Sequence, residues 1–146
     1  MAIRNISVLV LYNDKKEMLL QHRSKTAKRL PDYWGFFGGG IEVGETPEQA
    51  LTRELLEELE YHVKNPVLIS EQNFIWNGDK NTKYVFIEKY DSNQQLIQHE
   101  GQEMQWITSK VLSKFQIVEH DLEIISTVQK HLDSNPALLA TEIVHY

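Results

Sequence analysis

The chain has 146 residues, 41% of them hydrophobic and 25% charged, with a formal net charge of −6. This is the composition of a soluble globular protein large enough to bury one core, so a single domain over 1–146 is expected. The acidic balance argues against nonspecific nucleic-acid or acidic-membrane binding, and it implies that a phosphate-bearing ligand needs a metal or a local basic cluster. With no cysteine, disulfides, thiolate metal sites and cysteine nucleophiles are excluded, which agrees with a cytoplasmic location.

Residues 3–12 are rich in Ile, Val and Leu, and the run ISVLVLY is too short to span a membrane, so it predicts a strand. MLLQHR (18–23) follows a turn-like NDKKE and predicts a neighbouring strand. A basic, polar loop with Lys25, Lys28 and Arg29 then leads to aromatics, and these cations read as a solvated loop. GFFGGGIEVGE (35–45) holds five glycines and predicts a loop whose backbone approaches its neighbours closely.

The strongest helix signal comes next. Thr46 suits the N-cap, Pro47 the first helical position, and Gln49 completes a capping box. The helix is expected to end near Leu59, with Leu51, Leu55 and Leu59, and Leu56 beside them, facing the core. HVKNPVLISEQNFIW and TKYVFIEKY predict two strands joined by a turn at NGDKN, and EMQWI predicts a short one. TSKVLSKF and EHDLEIISTVQKHL predict helices, the second amphipathic, with Asp121 as an N-cap and the last dozen residues either ordered or a tail. Hairpins interleaved with helices imply an α/β fold, a mixed sheet covered on both sides.

The predicted helix carries an electrostatic puzzle. Glu54, Glu57 and Glu58 are related by i+3 and i+4 and share a face, at a cost of roughly 0.2–0.5 kcal/mol per like-charge pair. A cation offsets such a cost, and carboxylates at this spacing supply hard oxygen ligands for Mg²⁺ or Mn²⁺. Arg53, four residues before Glu57, can orient it. A glycine-rich segment running into a helix N-terminus suits anions, so phosphoryl chemistry is indicated. A solvated acidic face is the plain alternative, but it leaves the glycines and Glu45 unexplained.

Gly39, five residues, Glu45, seven residues, then Arg53-Glu54-Leu55-x-Glu57-Glu58 resembles the Nudix hydrolase box, with every charged position at its interval. LLQHR, YWGFFGGGIE and EGQEMQW agree with the family's flanks, and the resemblance runs over most of 3–132. Two positions depart from it. Glu60 stands where the box has a glycine that takes a left-handed conformation, which costs about 1 kcal/mol or alters the helix end. Phe37 replaces a common proline.

The resemblance implies a Nudix-type α/β/α sandwich with a mixed β-sheet, and a hydrolase cleaving the diphosphate of a nucleoside diphosphate linked to another group. It implies Mg²⁺ or Mn²⁺ held by Glu54, Glu57, Glu58 and the Gly39 carbonyl, with Glu54 also acting on the attacking water and Arg53 and Glu45 holding the others in place. Glu100 is a candidate base or metal partner on a mobile loop, or an exposed acid, with Glu103 in reserve. Arg23 stands at a phosphate-contacting position, or is a surface arginine. Trp34, Phe36 and Phe37 can stack on a base or belong to the core. His22 reads as structural, while His120 and Asp121 lie near where MutT-type members read the base.

The markers of ADP-ribose and diadenosine-polyphosphate hydrolases are missing downstream, and Glu119 stands where an 8-oxoguanine reader carries Asn. The favoured substrate is therefore a nucleoside triphosphate, with no nucleic-acid or membrane partner. The choice between monomer and homodimer stays open. A non-catalytic nucleotide-sensing module is the rival, which the intact box acids disfavour. An isomerase on the same fold would need a cysteine.

Overall fold

The computed structural model describes residues 5–76 and 78–138. Predicted strand residues 3 and 4, Asn77 of the predicted turn and the tail from 139 lie outside them. Strands β1 (Ile6–Tyr12), β2 (Met18–His22), β3 (Trp34–Gly35), β4 (Phe37–Gly40), β5 (Val67–Trp76), β6 (Asp79–Lys89) and β7 (Glu103–Ile107) form one sheet. Helices α1 (Pro47–Leu59) and α2 (Glu119–Ser134) cover it. The sheet is mixed, since β1 runs parallel to β6 and antiparallel to β2 and β4.

Why β1 occupies the centre follows from its sequence. ISVLVLY is apolar at both parities, so it can be buried on both faces. Val8 and Val10 join Ile124, Ile125, Val128 and Leu132 of α2 in one core. Leu9 and Leu11 join Leu51, Leu55 and Leu59 of α1 in the other. Each such buried leucine contributes roughly 1.5–3 kcal/mol before entropy is counted. Among the described residues no helix is long and apolar enough to cross a membrane.

α1 forms as its first turn predicts. Thr46 accepts from the Gln49 N–H, and the Gln49 side chain accepts from the Thr46 N–H. Its end is informative: Glu60 takes the left-handed conformation (φ 54°) that the box glycine would take, and its N–H closes on Leu56 O. The geometry of the helix end is kept, with the strain carried by a residue that has a Cβ.

Several expectations are corrected. Only the second half of the glycine-rich segment, 41–45, is a loop: residues 37–40 form β4, which pairs with β1 from Leu9↔Phe37 to Ile6↔Gly40. The close approach was foreseen, but it serves the sheet. A Cβ on Gly38 (φ 143°) would stand 2.0 Å from the Ser7 carbonyl oxygen. Leu56 is exposed, since it lies on the helix flank beyond the buried stripe. The strand expected from His62 starts at Val67, and TSKVLSKF forms a short 3₁₀ helix (Ser109–Lys114) in place of an α-helix. Asp121 does not cap α2: Val118 occupies that position, and Asp121 is buried against Lys83.

Candidate active site

One cleft of about 480 Å³ opens between the β3–β4 segment, the N-terminus of α2 and the loops after β2 and before β7. Arg23, Trp34, Phe36, Gly39, Glu54 and Glu100 all line it. Arg53, Glu57 and Glu58 are not in its lining, and each departs for a different reason.

Arg53 stands behind Glu54 and is fully engaged. Its Nε and Nη2 donate to the two Glu45 carboxylate oxygens at 2.8 Å each, Nη1 donates to Glu54 Oε1 at 2.9 Å, and Nη2 also reaches the Gly40 carbonyl. This fork ties β4, the following loop and α1 together in the bidentate way only an arginine allows. The Arg53 hydrogen bonds are the main reason the Glu45 carboxyl is held down to about 2. The turn before α1 folds Glu45 back beside Arg53, eight residues on.

Glu58 is the buried member, 1% exposed. Its Oε1 accepts the Gly38 N–H, but Oε2 is buried with no hydrogen-bond partner. Burial, then the adjoining Glu54 carboxyl and the charge of Glu100, raise its pKa well above the ordinary carboxylate range. Gly39 leaves room for this pairing, because a Cβ there would lie 2.5 Å from the Glu54 carboxyl carbon. Glu57 lies on the solvent side, its side chain 59% exposed and 3.7 Å from Arg53. Among the described residues no three acidic or histidine side chains converge on one point. Mutual repulsion of acids at i, i+3 and i+4 accounts for Glu57 turning toward Arg53.

The donor set fits a divalent cation. A buried carboxyl whose Oε2 has no donor, beside a second carboxylate and on a face with a third, is a hard-oxygen environment that a cation would allow to ionise fully. Glu100 reaches the same field from the opposite loop: partial burial, then the Glu54 charge, raises its pKa, while Arg23 opposes the shift. Glu103, by contrast, is exposed on β7 outside the cleft.

The aromatic residues serve two purposes at once. Trp34 and Phe36 belong to the α2-side core and still line the cleft. His22 stacks on Trp34 with centroids 4.7 Å apart, so one indole face is already covered. Phe37 points to the other core and is structural.

Lys83 and Gln21 of the lining escaped the sequence reading, while Asp121, expected near the base as a helix cap, and Arg29, expected in a solvated loop, line the cleft in other roles. Lys83 and Asp121 form a buried pair at 2.6 Å, with His120 Nδ1 3.1 Å from Lys83 Nζ. Burial disfavours ionised Asp121, but hydrogen bonds from His120 and Lys83 outweigh it and hold its carboxyl below the usual range. Burial likewise lowers the Lys83 pKa, against the pull of Asp121. Arg29 is not a solvated loop cation: it is half-buried and lies over the rings of Phe74 and Trp76. Gln21 donates to the Phe36 carbonyl from the cleft wall. A charge in the middle of a β-strand, as Lys83 is, was the one available signal.

A sequence model of the NUDIX domain matches residues 1–128. The RNA pyrophosphohydrolase of Orientia tsutsugamushi (strain Boryong) is 30% identical over 106 residues, 73% of this chain and 59% of that one. The 8-oxo-dGTP diphosphatase of Escherichia coli (strain K12) is 43% identical over 54 residues, 37% of this chain and 41% of that protein. The matched stretches thus span less than two thirds of these relatives' own length. Among solved structures, the MutT protein from Methanosarcina mazei Go1 superposes with a TM-score of 0.76 at 20% identity, covering 88% of this chain and 94% of that one, a likeness of fold.

Proposed function

The chain belongs to the Nudix hydrolase family, and from that premise we propose that it is a metal-dependent pyrophosphohydrolase acting on the 5′-polyphosphate of a nucleoside, with 1–146 working as one domain. The observation that carries this reading is the orphaned Glu58 oxygen beside Glu54, at the end of a cleft that also holds Arg23 and an aromatic wall. The two named relatives act, by their names, on different molecules, and a 5′-polyphosphate is what RNA ends and dGTP derivatives have in common.

Glu54, Glu57, Glu58 and the Gly39 carbonyl would hold Mg²⁺ or Mn²⁺, which when bound neutralises phosphate oxygens and makes water a better nucleophile. The protein's own groups do the rest. Arg53, clamped by Glu45, fixes the Glu54 carboxylate through Nη1. Glu54 takes the proton of the attacking water as oxygen bonds to phosphorus and the bridging P–O bond breaks, releasing a nucleoside monophosphate and pyrophosphate. Glu100, with its raised pKa, is placed to carry that proton onward. Arg23 binds the polyphosphate, and Trp34 and Phe36 bound the base.

The test is product detection across nucleoside triphosphates, 5′-triphosphorylated RNA, ADP-ribose and dinucleoside polyphosphates, each with Mg²⁺, Mn²⁺ or EDTA. Pyrophosphate release that EDTA abolishes is expected. Silence across the panel from a folded protein would remove the hydrolase reading and favour a nucleotide-sensing role.

A further inference from the structure

Residues 90–102 carry the chain from β6 to β7, and they pass the C-terminal end of α1 on the way. At that end Glu60 N–H closes on Leu56 O and Tyr61 N–H on Leu55 O, which leaves the last carbonyls of the helix open. The crossing segment takes two of them. Ile97 N–H donates to Leu59 O at 3.0 Å, and His99 N–H donates to Glu58 O at 2.8 Å. Beside these bonds, Glu60 Oε2 accepts from His99 Nε2 at 2.6 Å.

One residue further on, Glu100 lines the main cleft. Among the described residues its carboxylate has no hydrogen-bond partner, so its place is set by the backbone on either side. Downstream, a Cβ on Gly101 (φ 82°) would stand 2.7 Å from the His22 carbonyl oxygen, and Gln102 N–H donates to that same oxygen at 2.7 Å. Gln102 Nε2 donates to Arg23 O and to Asp32 Oδ1. Upstream, the Glu60–His99 pair is the side-chain link to α1. Glu100 is thus strung between the end of β2, next to Arg23, and the end of α1 that carries Glu57 and Glu58.

The pair is poorly suited to holding the fold. The two side chains are 51% and 50% exposed, and an exposed ion pair contributes little to global stability. Glu60 also sits in a left-handed conformation, φ 54°, that glycine would take without strain. A glycine there would keep the turn and remove the acceptor. The pair is well placed to hold its neighbours instead. Glu58 lies two residues before Glu60, and Glu100 lies one after His99, so the contact closes a short ring from one acidic side chain to the other.

We propose that Glu60 and His99 are positioning residues, whose contact fixes the Glu100 carboxylate across the cleft from Glu54 and Glu58. The proposal rests on the hydrolase reading for the reaction it serves. It gives a use to the residue that departs from the box: strain at 60 is tolerated because its carboxylate holds the loop that presents an acid to the centre.

The experiment measures kcat and KM for dGTP and for 5′-triphosphorylated RNA with Mg²⁺, and amide hydrogen exchange of residues 97–101 in EDTA. Glu60→Gly and His99→Ala should each lower kcat roughly tenfold, with KM held within about twofold. Glu60→Gly should do so without lowering the melting temperature, which a merely structural contact would not allow. The double variant should be no slower than either single one. Glu60→Gln keeps an acceptor oxygen and should retain most of the activity. In a Glu100→Gln background, Glu60→Gly should remove nothing further. Exchange at Ile97 and His99 should quicken in both single variants.

Wild-type kcat in the single variants, losses that multiply in the double one, or a further loss beyond Glu100→Gln would overturn the positioning role. Unchanged exchange would overturn the contact itself. No turnover from wild type, with the exchange response intact, would overturn the hydrolase reading alone.

Discussion

Glu58 and Glu88 are the same residue type, both buried, both at the edge of the α1-side core, yet their surroundings are opposite. Glu88 Oε2 accepts from the Tyr61 hydroxyl at 2.8 Å, and Oε1 from the Lys64 and Asn65 N–H groups at 3.0 and 2.7 Å. Both of its oxygens are satisfied, and it pins the chain after α1 to β6. Glu58 has one N–H, an orphaned oxygen and a second carboxylate beside it. A buried charge that the fold satisfies is there for the fold; one left unsatisfied is held for a ligand.

Exchanging the two glutamates for neutral residues separates these roles. The largest effect is expected for Glu58→Gln: turnover falls about a thousandfold, while the melting temperature holds or rises, because an amide can donate to Glu54. A variant that loses stability instead would erase the distinction. Glu88→Ala should do the reverse, costing about 1–3 kcal/mol in denaturant unfolding with the folded fraction still active. Its left-behind Tyr61 hydroxyl and two N–H groups are the cause, and an inactive but fully stable protein would argue against it.

A smaller effect separates sequence strain from chemistry. Glu60→Gly relieves the left-handed backbone and should add about 1 kcal/mol, or roughly 3 °C in thermal midpoint, even as turnover falls with loss of the His99 contact. The smallest concerns a third buried carboxylate, Asp121, which like Glu88 has partners. Its pKa is lowered by folding, so its contribution is fully present above the unfolded value of 3.8 and is lost as pH falls through the lower folded value. In urea titrations the advantage of wild type over Asp121→Asn should stay constant at higher pH and shrink in that acid window. An advantage that grows with acid would reverse the assignment.

What could be read in advance was local. Thr46 to Gln49 and Gly39 through Glu58 lie within twenty residues, where helix geometry alone decides who shares a face. The parts not legible depend on pairs far apart: Lys83 and Asp121 are 38 residues apart, and neither residue announces the other. Asp121 was read as a cap because capping is the local use of an aspartate; a buried lysine across the sheet overrode it. The glycines were read as a loop because β-propensity counts side chains, whereas Gly38 is in a strand because a side chain would not fit. Arg29 looked solvated until the β5 aromatics were placed beneath it.

The central position of β1 also has a temporal consequence. Its antiparallel partner β4 follows about thirty residues later, but its parallel partner pairs Ile6 with Lys83, 77 positions downstream. At a translation rate of roughly 5–20 residues per second, ISVLVLY would wait on the order of 4–15 s outside the ribosome for its second neighbour. A short, uncharged, β-prone run with one edge left unpaired for that interval is a target for chaperones and for self-association. The yield of active protein should therefore respond to the speed of synthesis, with the same folded product reached at any speed.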